Sequence, residues 1–216
     1  MSIKDNLSYI KSTLSENVTL VAVSKTKPVS DLTEAYEAGQ RIFGENKIQE
    51  MTDKFEEMPK DIEWHMIGHV QSNKVKFMAP YVSLIHGVDS LKLLEEIHKQ
   101  ALKHNRIIDC LLQVHIAEEE TKFGLDEQEL SELLHSESFR SLSNIQVKGL
   151  MGMATFTENQ QQVKKEFRHL KSLYDQFSIE NPQFSILSMG MSGDYQLAIE
   201  CGSTMVRIGS SIFGGR

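Results

Sequence analysis

At 216 residues the chain is long enough for one well-packed core and little more, so a single domain over residues 1–216 is expected. With 30 acidic against 23 basic side chains and a formal net charge of −7, it lacks the excess of Lys and Arg that a general nucleic-acid or membrane surface requires. No apolar run approaches the roughly 20 residues that span a bilayer, and the two distant cysteines, Cys110 and Cys201, read as reduced core residues of a cytoplasmic protein with no leader segment.

Leu7, Ile10 and Leu14 recur at helical spacing and predict an amphipathic helix over 3–15. Val18 to Val23 is nearly all apolar, as a parallel strand covered on both faces reads. That strand stops on Ser24-Lys25-Thr26-Lys27, and Pro28, which has no backbone N–H, holds the chain out of the sheet. Helical period returns at Leu32, Ala35 and Tyr36, with Gly39 as the stop. Arg41-Ile42-Phe43 is a short strand ending in Gly44-Glu45-Asn46, followed by a helix from Lys47 to Glu57. Glu63 to Gly68 is a third strand closed by His69, and a short helix capped by Ser72 or Asn73 follows.

Val82 to Val88 is the fourth strand, and Ser90 caps a helix whose core face is Leu91, Leu94, Ile97 and Leu102. Ile107 to Ile116, the most apolar strand, leads through a loop at 118–124 to a helix at Glu127–His135. Val147–Met153, the long helix Asn159–Phe177 and the strand Ile186–Gly190 come next. Ser192 is expected to cap a helix over Asp194–Glu200, and Met205–Gly209 is the eighth strand. Strands alternating with helices about eight times, with short connections, imply a parallel sheet with helices outside. Right-handed crossovers let such a sheet close into a (β/α)8 barrel of the TIM type, small for its kind and carrying an extra N-terminal helix. The alternative, an open doubly wound sheet, lacks a Gly-rich dinucleotide motif: Gly209, Gly214 and Gly215 have the wrong spacing.

In this fold, function sits at the C-terminal ends of the strands. Those ends carry Ser24, Lys25 and Lys27, then Glu45 and Asn46, Gly68 and His69, His86, His115, Met151 and Met153, then Met191 to Asp194, and last Arg207, Gly209, Ser210 and Ser211. Ser192-Gly193 before a helix offers unpaired N–H groups, and Gly209-Ser210-Ser211 adds more N–H donors and two hydroxyls. Arg207 adds a fixed positive charge. Together they suit one phosphate, although a plain helix cap plus a Gly/Ser turn would look the same locally. Asp194 reads as a first-turn acid that favours its helix.

A lysine closing an apolar strand is unusual, and Lys25 is the candidate for a primary amine that forms a Schiff base with an aldehyde, the alternative being a snorkelling surface lysine. Burial and the nearby charge of Lys27 favour the neutral amine that attacks; Lys27 itself is a weaker Schiff-base candidate. Closure would pair strand eight with strand one, about 4.8 Å apart, so amine and phosphate cradle would share one cup. Pyridoxal 5′-phosphate (PLP) needs those two parts, and so does a sugar-phosphate aldolase. His65 and His69 have no third partner at persuasive spacing, so no metal is expected. Asn46 either bonds a ring hydroxyl or caps the following helix. Met151, Met153, Met189 and Met191 either pack on a flat ring or fill the core. Thr121-Lys122-Phe123-Gly124 is either a loop near the cup or a plain turn.

Several blocks, in order along the chain, resemble the PLP homeostasis protein family (YggS/PROSC-like). They are Ala22-Val23-Ser24-Lys25-Thr26-Lys27-Pro28, Phe43-Gly44-Glu45-Asn46 with Gln49-Glu50, and Trp64 to Lys74. Gly149 to Met153, Ser188 to Asp194, and Arg207-Ile208-Gly209 with Ile212-Phe213-Gly214 complete the set. The resemblance implies a PLP-binding barrel like the N-terminal domain of alanine racemase (fold-type III), with an internal aldimine on Lys25. It implies phosphate contacts at Ser192, Gly193, Gly209 and Ser210, and Arg207 at the pyridine nitrogen. It further implies that the protein buffers PLP and delivers it to apo-enzymes, with a part in amino-acid homeostasis and no assigned reaction. Lys47-Ile48 and Phe123 depart from the family pattern at the rim of the cup. A racemase also needs a base on each face of the substrate carbon, supplied in alanine racemase-like enzymes by a further domain and the partner subunit, so a carrier is favoured over a weak amino-acid racemase. A closed barrel leaves no strand edge for pairing, which suits a monomer.

Overall fold

A computed structural model describes residues 2–118 and 123–215. Eight parallel strands pair in chain order and close into a barrel: β1 (Thr19–Val23), β2 (Ile42–Glu45), β3 (Glu63–Met66), β4 (Leu84–Val88), β5 (Ile108–Gln113), β6 (Ile145–Met151), β7 (Ile186–Met191) and β8 (Met205–Ile208). Closure is the β1–β8 pairing, in which Val21 lies beside Arg207 and Ala22 beside Ile208. Before β1 comes α1 (Ile3–Thr13), then α2 (Val29–Glu37), α3 (Ile48–Glu57), α4 (Val75–Met78, preceded by a 3-10 turn) and α5 (Leu91–Lys103). The remaining helices are α6 (Glu127–His135), α7 (Glu137–Arg140), α8 (Gln160–Ser178), α9 (Tyr195–Glu200) and α10 (Ser210–Phe213).

Pleating divides each strand between two cores. Leu20, Ala22, Phe43, Trp64, Ile85, Leu150, Leu187 and Val206 point outward into the layer shared with the helices. Val21, Leu84, Leu111, Met151 and Met205 point inward. The extra helix α1 starts on a capping box between Ser2 and Asp5. It lies against α10, where the Asn6 amide donates to the Ile212 carbonyl at 2.9 Å. Beneath the barrel the buried Gln40 amide donates to the carbonyls of Leu20 (3.0 Å) and Ile42 (2.7 Å), tying β1 to β2.

Four expectations about elements need correction. Leu102 is 56% exposed, and the buried face of α5 ends on Ala101; the helix turns Leu102 about 100° away from that face. The 3-10 turn has Gln71 at its cap position with no side-chain bond, so neither Ser72 nor Asn73 caps it. β5 runs over Ile108–Gln113 rather than 107–116, because Val114 onward bonds to Met151 and Leu125 in irregular structure. Last, α9 begins at Tyr195 with Asp194 at the cap position, and Ser192 is not its cap.

Candidate functional site

One cup of about 740 Å³ opens at the C-terminal ends of the strands. Its lining includes Lys25, Asn46, Ser192, Gly193, Arg207, Gly209 and Ser210, the residues expected to hold a phosphorylated aldehyde. Strand parity explains Lys25: Val21 faces the interior, and residues 23 and 25 continue on that side while Ala22 and Ser24 face the helices. Lys25 is half-buried, and its ammonium makes no hydrogen bond or ion pair with another described residue.

The strand closure brings the second part of the site to Lys25. Gly209 follows directly on the β1–β8 pairing; a Cβ there would lie 2.9 Å from the Val23 carbonyl oxygen, so the two backbones touch just below Lys25. The Gly209 N–H donates to Ser192 Oγ at 3.2 Å and locks the loop after β7 to the loop after β8. The Ser192 hydroxyl makes this bond and does not cap the helix that follows. Asp194 turns one carboxylate oxygen onto the Met191 N–H at 2.5 Å and holds the same loop from the other side. A Cβ on Gly193 would meet nothing within 4 Å, so this glycine borders open space.

Arg207 sits deeper, 4% exposed on β8, and donates to Ser188 Oγ (2.6 Å) and the Gly152 carbonyl (3.1 Å). Burial lowers its guanidinium pKa to about 10 while Asp194 opposes that shift, so it stays cationic at neutral pH. Beneath it runs a polar chain that sequence reasoning did not find. Ser188 Oγ lies 3.1 Å from His86 Nδ1, and His86 Nε2 lies 3.0 Å from His65 Nδ1. Burial pushes His65 down to about 3. His86 is pushed well below its ordinary value by burial first, then by His65 and by the Arg207 charge. Both imidazoles are therefore neutral. One proton order satisfies all three contacts: Arg207 donates to Ser188, Ser188 to His86, and His86 to His65. In this order Ser188 Oγ accepts a hydrogen bond from the guanidinium, which helps hold that cation in one orientation.

Of the other candidates, some line the cup, His69 among them, and some fall outside it. His86 does not project from a strand end but lies fully buried inside the barrel. Glu45 points outward, 0% exposed, to Lys54 and Ser24. Lys27 does not line the cup: its ammonium donates to the carbonyls of Phe213 and Gly215 at 3.0 Å each, which ties it to the C-terminal turn. Met151 is core and Met189 faces the helices, whereas Met153 and Met191 line the cup. Asn46 precedes Lys47, the cap position of α3, and does not cap that helix. His69 stacks on Phe123 (ring centroids 4.1 Å apart) and approaches Asp89 at 3.4 Å. No group of three or more His, Cys, Asp or Glu among the described residues could hold a metal. Phe123 forms one wall of the cup, Ile48 is buried in α3 with Lys47 exposed beside it, and Thr121 and Lys122 lie outside the described residues. Sequence reasoning also missed Gln113 and Phe156 as lining residues; Gln113 shares the inward parity of Leu111 on β5, a signal available only once the strand ends are known.

The family model for the N-terminal domain of alanine racemase matches residues 1–216. The pyridoxal phosphate homeostasis protein of Aquifex aeolicus (strain VF5) is 43% identical over 199 residues, covering 91% of this chain and 86% of that one. Its counterpart in Escherichia coli (strain K12) is 38% identical over 205 residues, covering 93% and 87%. Among solved structures, PipY of Synechococcus elongatus PCC7942 with PLP bound superposes with a TM-score of 0.89 at 34% identity, covering 99% of this chain and all of that one. Alanine racemase of Clostridium difficile 630 shares the fold at a TM-score of 0.79 and 15% identity; this chain spans 57% of its length. Closed barrel, cup geometry and relatives agree, and the chain belongs to the family of pyridoxal phosphate homeostasis proteins.

Proposed function

We propose that this protein binds PLP in the cup as a Schiff base on Lys25 and acts to hold and release it in PLP homeostasis. The observation that carries the reading is the shared cavity: the groups needed to hold a phosphorylated aldehyde, an amine with no partner among the described residues and a backbone cradle, open on the same 740 Å³ space from opposite ends of the chain. The residues fit the group. Gly193 borders open space where a phosphate can approach the backbone, and the first-turn N–H groups of α10, Ser210 and Ser211, have no intrahelical acceptor. PLP supplies an aldehyde that condenses with an amine and expels water.

In this reading Ser192, Gly193 and Ser210 bind the phosphate, Gly209, its N–H held by Ser192 Oγ, lets the phosphate approach the backbone closely, Asn46 orients the ring, and Arg207 faces the pyridine nitrogen. A guanidinium donates and cannot accept, so it holds that nitrogen without a proton. The whole chain is one PLP-binding unit and a monomer, which the closed sheet suits because it leaves no strand edge. No described helix is long and apolar enough to cross a membrane. The two buried free thiols suit the cytoplasm, where PLP passed to apo-enzymes would support amino-acid homeostasis. Mixing the purified protein with PLP should give a yellow absorption band that Lys25→Ala abolishes; a band that survives in that variant refutes the assignment of the amine. Incubation of the loaded protein with an apo PLP-enzyme should restore that enzyme's activity.

A further inference from the structure

The turn that carries Lys25 is held from outside the barrel by a buried charge cluster that the cup does not contain. Lys54 on α3, 5% exposed, donates from one ammonium to three acceptors: Glu45 Oε1 (2.8 Å), Glu50 Oε1 (2.7 Å) and the Ser24 carbonyl (2.8 Å). Glu45 also accepts from Ser24 Oγ at 2.6 Å. Glu50 also accepts from the Thr26 N–H at 2.5 Å. The residues on both sides of Lys25 are therefore tied to one cluster, while the Lys25 side chain is left to the cup.

The backbone there needs holding. The Lys27 N–H donates to the Ser24 carbonyl at 3.1 Å, which closes a four-residue turn with Lys25 and Thr26 at its centre. Thr26 has φ +65°, the left-handed region that the third position of a type II turn requires and that glycine usually fills. A β-branched residue is strained there, so this turn does not keep its shape unaided. Glu45 is itself a costly group: its second oxygen is buried without a partner among the described residues, and burial raises its pKa while the Lys54 and Ser24 bonds lower it. Burial at this cost fits a role in geometry better than one in stability.

We propose that Glu45, Lys54 and Glu50 form a positioning clamp that fixes the strained Ser24–Lys27 turn so that the Lys25 amine meets the aldehyde of the bound cofactor. The proposal rests on the PLP reading above. Its chemistry is confined to orientation; the bond forms between the Lys25 nitrogen and the aldehyde carbon, and the carbonyl oxygen leaves as water. The clamp acts on that condensation and not on the phosphate cradle, which lies on other loops.

The test compares PLP with pyridoxine 5′-phosphate, which has the same ring and phosphate but an alcohol in place of the aldehyde. Both affinities are measured on the full chain by titration. The wild type should prefer PLP. In Glu50→Ala the preference should fall about tenfold or more while pyridoxine 5′-phosphate affinity holds. Glu50→Gln, which keeps an acceptor for Thr26, should retain the preference. Thr26→Gly placed in the Glu50→Ala protein should restore much of it, because glycine adopts the turn without help. Glu50 is only part-buried, so its truncation avoids the unfolding that Lys54→Met risks. An unchanged preference in Glu50→Ala overturns the proposal, and so does an equal loss for both ligands, which would make the cluster merely structural. A wild type with no preference for the aldehyde would instead sink the Lys25 reading beneath it.

Discussion

Acid should weaken this protein through the histidine pair inside its barrel. His65 and His86 are 3% and 0% exposed, bonded to each other, and neutral in the fold. Unfolded, each titrates near about 6.5; folded, His65 titrates at about 3. Above the unfolded value neither state takes up a proton and the full stability is present. Below it only the unfolded chain gains protons, so stability falls with pH until the folded value is reached. At about 1.36 kcal/mol per pH unit, a step from about pH 6.5 to about pH 5 removes roughly 2 kcal/mol through His65 alone. His86 acts in the same direction. Glu45, raised chiefly by burial, acts in the opposite one. Urea unfolding followed by the fluorescence of Trp64, the sole tryptophan and fully buried, reads the change directly. His65→Gln shares every other titrating group with the wild type. Between about pH 7.5 and about pH 5 the wild type should therefore lose about 2 kcal/mol more than this variant. Equal losses in the two proteins would show that the pair is not held neutral by burial and would refute the reasoning.

Two glycines should separate folding from binding. Gly149 has φ +148°, and a Cβ would stand 1.9 Å from the Ile186 carbonyl oxygen on the paired strand; Gly149→Ala should cost more than about 2 kcal/mol in urea unfolding. Gly193→Ala meets no neighbour, so its unfolding midpoint should match the wild type while affinity for pyridoxine 5′-phosphate falls about tenfold. Arg207→Ala should weaken PLP retention on gel filtration; unchanged retention would place that side chain away from the cofactor. Gln40→Ala leaves the carbonyls of Leu20 and Ile42 without their amide at the base of the barrel, and should destabilise by about 1–3 kcal/mol without changing PLP affinity.

The primary sequence determined the alternation of strands and helices, because burial on both faces writes nearly continuous apolar runs such as 18–23, and amphipathic packing writes a 3.6-residue period. Eight such units left a closed barrel as the economical arrangement, and the polar residues at the strand ends named the cup: Lys25, Asn46, Ser192, Gly193, Arg207, Gly209 and Ser210 line it together. Single residues whose neighbours are distant in the chain were not legible. His65, His86, Ser188 and Arg207 come from β3, β4, β7 and β8, and only the register of the closed sheet places them in one chain of bonds. Ser192 looked like a helix cap because its local pattern is that of one; tertiary structure gave its hydroxyl to Gly209. Lys27 looked like a neighbour of Lys25 because it lies two residues away, yet the turn at Thr26 sends it to the C-terminal carbonyls. Which side of a strand a residue faces follows from a period of two and is local; what it meets there depends on strands that fold in from elsewhere, and that only the assembled barrel decides.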